Sequence, residues 1–383
     1  MAEQMTGKQR VLATFEGKAT DRVPIYCAGL SRRIASHVLG REAFVGHGSQ
    51  RYREAVALWE GEAAHQEFLE RTQQDVLEVS EKLDLDLVRP AYWRYNVRPT
   101  KRLDEYTFFY GDEDGEWWVM RFDPETELYQ ETARSPRPEP TIEDIERQVA
   151  RLEEAEPPRP TPESFPELQA AVAYYGERRA VPGSGVGVAV PRERHWLEAI
   201  ALRPDLVRRY LVACARRNAA NPPVMKQMGL TLLFGGGDFA GKNGPLYSPK
   251  AFHECMLPAL QIISRACHEH GCYHLFASDG NLWPVAEDLF GNSGVDGFYE
   301  IDRRAGMDLS RLRDTFPHLK LLGGISSETL HLGTPEDVRA ETLSALEVAK
   351  ERGQIIVGVS NQVVPKTPPE NFDTMMETLH EHR

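Results

Sequence analysis

The sequence predicts an α/β protein folded as a single (β/α)8 TIM barrel, and three observations predict it. Short apolar runs alternate with helix-like segments, and counting the runs gives eight strands, the closure number of the commonest α/β barrel. Three of the runs stop at a carboxylate: LLFGGGD at Asp238, CYHLFASDG at Asp279 and GVDGFYEID at Glu300. The length, 383 residues, suits one such barrel with an insertion. We therefore expect residues 1–383 to form one domain.

The elements follow in order. KQRVLATFEGK reads as a helix within an N-terminal helical segment, residues 1–20, and DRVPIYCAG as the first strand. Between 50 and 82 apolar residues recur at helical spacing (Tyr52, Val56, Trp59, Phe68, Val76, Val79) and lead into a second strand, LDLDLVRP. YTFFY and EWWVMRF flank the turn sequence GDEDG, so residues 92–134 are expected to carry an antiparallel β-hairpin insertion over the barrel mouth. Tyr92, Trp93, Trp117 and Trp118 would form its hydrophobic cover. A helix from Ile142 to Glu154 precedes EPPRPTPESFP, a surface linker at 155–166 too rich in proline for regular structure. AVPGSGVGVAV resumes the alternation with the third strand. Helices near 192–201 and 203–220 and the strand 231–238 come next. After them we expect helix 248–270, strand 272–278, helix 283–290, strand 296–301, helix 308–314, strand 319–326, helix 335–352, strand 354–360 and helix 369–381.

Composition narrows the function. With 45 basic and 58 acidic residues the chain carries −13, which works against binding to nucleic-acid backbones or anionic lipid. The N-terminus has no signal-peptide core and no apolar run reaches membrane-spanning length, so a cytoplasmic protein without a membrane partner is expected. Five cysteines in this length read as buried thiols rather than a disulfide framework. The segment CHEHGCYH gathers zinc-preferring side chains, but the histidines of HEHG sit in the last turn of a helix before a glycine, where they complement the helix dipole. GSGVG at 183–187 lacks the spacing of a nucleotide loop and reads as close backbone approach.

Barrels place reactive groups at the C-terminal ends of their strands, so Asp238, Asp279 and Glu300 are the candidate catalytic acids, with Asn361 ending the last strand in the same ring. Converging carboxylates bind a metal, hold a proton or pair a cation. Asp279 before Gly280 also has the alternative of capping the following helix.

FASDGN, GVDGFYEID, GMDL, LLGGIS, GTPEDVRAE and PPENFDTM, with GPLYSPKAF and DRVPIYCAG upstream, resemble the uroporphyrinogen decarboxylase superfamily. That family includes the decarboxylase of haem synthesis and methyltransferases that exchange methyl groups with corrinoid proteins. The resemblance implies a single (β/α)8 barrel and a dimer. The decarboxylases' arginine-rich loop falls on AGLSRR, making Arg32 and Arg33 candidate substrate-binding residues together with Arg89, Tyr26 and His274. Their pyrrole-binding aspartate falls near Arg89 to Ala91, where no acid stands, and their C-terminal histidine falls on Asn361. The zinc methyltransferases' His-x-Cys pair falls on Ala277 and Asp279, and their third ligand again on Asn361. A divalent metal such as zinc would therefore rest on Asp238, Asp279 and Glu300. The expected function is transfer of a methyl group between a small methylated substrate and a corrinoid supplied by a partner protein. The alternatives are decarboxylation of a tetrapyrrole or other poly-acid, clamped by Arg32, Arg33 and Arg89, and a non-catalytic barrel that binds a corrinoid or tetrapyrrole.

Overall fold

A computed structural model describes residues 4–90 and 93–383, so Tyr92 and the first three residues lie outside the described residues. The chain opens with α1 (Gly7–Phe15), which enters through a capping box between Thr6 and Gln9. β1 (Ile25–Cys27), α2 (Arg32–Leu39), the helical pair α3 (His47–Glu60) and α4 (Glu62–Lys82), and β2 (Leu87–Val88) follow. Strands β3 (Lys101–Arg102), β4 (Thr107–Gly111), β5 (Trp117–Asp123) and β6 (Leu128–Arg134) pair antiparallel in the order β3-β4-β5-β6. Phe108, Tyr110, Met120, Phe122 and Tyr129 of this sheet pack on Ala55 of α3. Trp117 stacks on Phe109 and Trp118 on Tyr110, so both belong to the sheet. The remaining strands are β7 (Leu232–Phe234), the two-residue pair β8 (Ala240–Gly241) and β9 (Gly244–Pro245), β10 (Tyr273–Ala277), β11 (Gly297–Tyr299), β12 (Lys320–Ile325) and β13 (Ile355–Val359).

Among the described residues, seven parallel strands form the main sheet in the order β2-β1-β13-β12-β11-β10-β7. The eighth strand expected from AVPGSGVGVAV is reduced to isolated parallel bridges, Ala180 to Leu87 of one edge and Gly183 to Leu233 of the other. Pro182 has no N–H to give to a ladder, and Gly185 takes φ +83°, which breaks extended pairing. The segment still lies between both edges, through Ala180 N–H to Asp86 O (2.9 Å) and Gly183 N–H to Leu232 O (2.8 Å).

Side chains alternate across each strand. One face gathers Tyr26, Leu87, Ala180, Leu232, Phe234, Leu275, Ala277, Tyr299, Leu322 and Ile356, with Val11 and Phe15 of α1 closing it from below. The other face, carrying Ile25, Cys27, Leu233, Phe276, Phe298 and Val357, packs against the surrounding helices. From residue 248 onward the elements end within a residue or two of the positions read from the sequence, although residues 252–256 and 287–292 are π-helical rather than α-helical. No described helix is long and apolar enough to cross a membrane. The five cysteines are unpaired and mostly buried.

Candidate active site

Asp279 follows Ala277 by two residues and so keeps its inward parity at the end of β10. Its Oδ1 accepts a hydrogen bond from Asn361 Nδ2 at 2.8 Å, joining the ends of β10 and β13. Burial raises the proton affinity of Asp279 and the charge of Asp238 raises it further, while the Asn361 bond opposes both. Asp238 stands at the open rim, 44% exposed, 4.0 Å from Arg192.

Glu300 follows the inward Tyr299, so strict alternation would turn it toward the helices. It takes φ +66° instead, a left-handed conformation that costs a non-glycine residue about 1–2 kcal/mol. Its carboxylate lies 3.5 Å from Arg89, which follows β2. The guanidinium of Arg89 lies over the rings of Tyr299 (5.4 Å to the centroid) and Phe234 (5.8 Å). Only 17% of the Glu300 side chain is exposed, and burial lifts its pKa to about 7. Arg89 pulls that value down, and Asp279 and Asp238 push it up. Replacing Arg89 with Met removes the opposing charge, so the R89M midpoint should lie above that of the wild type. An infrared titration of the carboxylic C=O band would show this, and an unchanged midpoint would refute the assigned pairing.

Tyr26 lies beneath these groups on β1. It is buried, its hydroxyl has no hydrogen-bond partner, and burial plus the Glu300 charge hold it well above the ordinary tyrosine range. Tyr299 donates its hydroxyl to Gly235 O. That contact fixes the glycine loop 235–237, where Gly236 (φ +136°) passes so close to Ala277 that a Cβ would meet its carbonyl oxygen at 2.6 Å. A cavity of about 420 Å³ adjoins Arg89, lined by Trp93, Phe165, Leu168, Pro182 and Phe234.

The structure thus brings together Asp238, Asp279, Glu300, Asn361, Arg89 and Tyr26 and separates the other expected residues from them. His274 lies on the opposite face of β10, fully buried, with Nδ1 2.8 Å from Ser264 Oγ on the helix Leu257–Glu269. Burial lowers its pKa to about 3, so it is a neutral core residue. Arg33 is exposed, and Arg32 turns to Glu127 (3.4 Å) and Glu42 (3.5 Å) because Glu127 caps the start of α2 through the Arg32 N–H. Nor do Asp238, Asp279 and Glu300 form the metal-holding set expected of them: among the described residues no three His, Cys, Asp or Glu are arranged to hold a metal ion. Each acid faces its own donor, Arg192, Asn361 or Arg89, and a carboxyl that stays protonated near neutrality is a poor metal ligand. The sequence reading missed Arg192, Phe234 and Tyr299, although Tyr299 directly precedes Glu300 and Arg192 sits in the basic run PRER.

Parallel strands with polar side chains at their C-terminal ends make a TIM-barrel-like arrangement, the place where such folds carry their active sites. Residues 236–382 match the family model of uroporphyrinogen decarboxylase (URO-D). Among solved structures, a methyltransferase from Methanosarcina mazei is similar over 99% of both chains, with a TM-score of 0.65 and 17% identity, which shows a shared fold. A sugar phosphate isomerase/epimerase from Parabacteroides distasonis aligns over 95% of this chain and 96% of its own, with a TM-score of 0.36 and 10% identity. No curated protein matches the sequence.

Proposed function

We propose that the chain is a methyltransferase of one-carbon metabolism, built on a (β/α)8 barrel whose ring residues 180–183 complete. It moves a methyl group from a small methylated substrate to a corrinoid carried by a partner protein. The observation that carries this reading is Glu300, a buried carboxyl at a strand end with a pKa of about 7. A methyl group leaving an oxygen or nitrogen leaves both bonding electrons on that heteroatom, which must take a proton to depart as a stable product. A carboxyl poised near neutrality is suited to give it. Asn361 and Asp279 orient the polar end of the substrate, and the cavity beside Trp93, Phe165 and Phe234 takes its apolar body. The exposed Asp238 and Arg192 rim leaves the mouth open to a methyl acceptor. The corrinoid, when bound, supplies the nucleophile for the methyl group. The donor set does not fit zinc, and no step is routed through a metal.

Charge speaks against decarboxylation of a poly-acid. Of Arg32, Arg33 and Arg89, only Arg89 faces the mouth, and it already has Glu300 as partner. A poly-carboxylate would find only one of the three expected clamps there. The test is incubation with reduced free corrinoid and a panel of methyl ethers and methylamines, followed by its visible spectrum. Methylation of the corrinoid by a panel member is expected. Carbon dioxide release from uroporphyrinogen, with no corrinoid methylation, would replace this reading with the decarboxylase.

A further inference from the structure

A cavity of about 470 Å³ lies outside the barrel mouth, between α3, α4 and the tip of the antiparallel sheet, and shares none of the six site residues gathered at the mouth. At one end Arg53 pairs with Glu42, which also receives Arg32 at 3.5 Å, while Arg71 donates to the Glu42 backbone carbonyl at 3.1 Å. The guanidiniums of Arg53 and Arg71 both lie over the Phe44 ring, at 4.1 and 3.8 Å from its centroid. Three arginines thus converge on Glu42, with Glu127 as the second carboxylate on Arg32. Burial lowers the proton affinity of Arg53, Glu42 opposes this, and the charges of Arg32 and Arg71 lower it further. The first turn of α3, which no side chain caps, adds its dipole at the same end.

Ser49 supplies the second, independent observation. It lines the cavity, is 1% exposed, and its hydroxyl has no hydrogen-bond partner. A buried hydroxyl left unpaired is costly, and an anionic oxygen in the cavity would satisfy it. Beyond it the wall is aromatic: Tyr52 and Phe122 stack at 4.3 Å, with Tyr106 tilted beside them. Glu60, Glu67 and Glu105 line the cavity too, so it can accept negative charge only at the Arg53 end.

We propose that this cavity binds an organic anion, a phosphate or carboxylate group carried on an aromatic body. The anionic group meets Arg53, Arg32 and Ser49, and the ring lies along Tyr52 and Phe122. The site is independent of the methyl-transfer reading, because it shares no residue with the mouth.

Calorimetric titration of the full chain with phenyl phosphate, benzoate and inorganic phosphate tests it. One-to-one saturable binding of at least one aromatic anion is expected, with inorganic phosphate about tenfold weaker because it lacks the ring. R53Q should weaken binding about tenfold or more, and S49A about fivefold. S49A removes an unpaired hydroxyl, so its melting temperature should not fall, which separates lost binding from lost folding. E300Q should bind as the wild type does. The proposal is overturned if neither aromatic anion binds saturably at millimolar concentration, if S49A and R53Q leave binding unchanged, or if E300Q abolishes it.

Discussion

Replacing Glu300 with Gln lowers methyl transfer at pH 7 by about 10²–10⁴-fold, the usual contribution of a positioned general acid. Gln keeps the shape and a hydrogen-bonding group beside Arg89 but has no proton to give. In the wild type the rate should fall as the pH rises through about 7, where the Glu300 carboxyl loses its proton, whereas E300Q should show no such limb. Stability gives a second readout that does not depend on the substrate. The folded pKa is raised from an ordinary 4.5 to about 7, so the stability this group contributes is complete below 4.5 and is lost as pH rises through 7. That loss amounts to about 3 kcal/mol, and E300Q should abolish it, flattening urea-unfolding stability between pH 5 and 8. A variant that transfers methyl groups within threefold of the wild type would remove Glu300 from the chemistry.

The other large effect lies at the opposite end of the sheet. Asp86, just before β2, is buried and accepts from Arg10, from Arg383 (2.9 Å) and from the Ile25 N–H (2.9 Å). Arg10 is fully buried and also grips Asp21 at 2.6 Å, so α1, β1, β2 and the C-terminal helix meet in one ionic cluster. Asp86→Ala takes a buried carboxylate from two guanidiniums, which keep only Asp21 and Asp84 as partners, and should cost about 3 kcal/mol. Asp86→Asn keeps an acceptor and should cost less. Urea titration decides this, and a D86A variant within about 1 kcal/mol of wild type would show that water replaces the carboxylate.

These residues mark how far the sequence could be read. Strand alternation and helix periodicity are local, so the order of parallel strands and the acids at three of their ends were legible in LLFGGGD, CYHLFASDG and GVDGFYEID. The third strand was legible as an apolar run but not as two isolated bridges, because ladder pairing at Pro182 and Gly185 depends on backbone angles and neighbours. His274 was close in sequence to Asp279, yet a five-residue offset places the two on opposite faces. Arg32 and Arg33 looked like clamps because a basic pair in a strand-end loop carries no sign of where it points. Glu127, ninety-five residues away, decided that for Arg32.

By itself the sequence determined the class of fold, the match of residues 236–382 to the URO-D family model and the acids at three strand ends, since all three rest on local period and motif. Only the tertiary structure decided that Glu300 turns inward through a left-handed backbone, that Arg89 meets it, and that the three acids pair with separate donors instead of sharing a metal. The physical reason is that a carboxyl's proton affinity is set by burial and by charges within a few ångströms. Those neighbours come from strand ends more than two hundred residues apart in the chain, at Arg89 and Glu300.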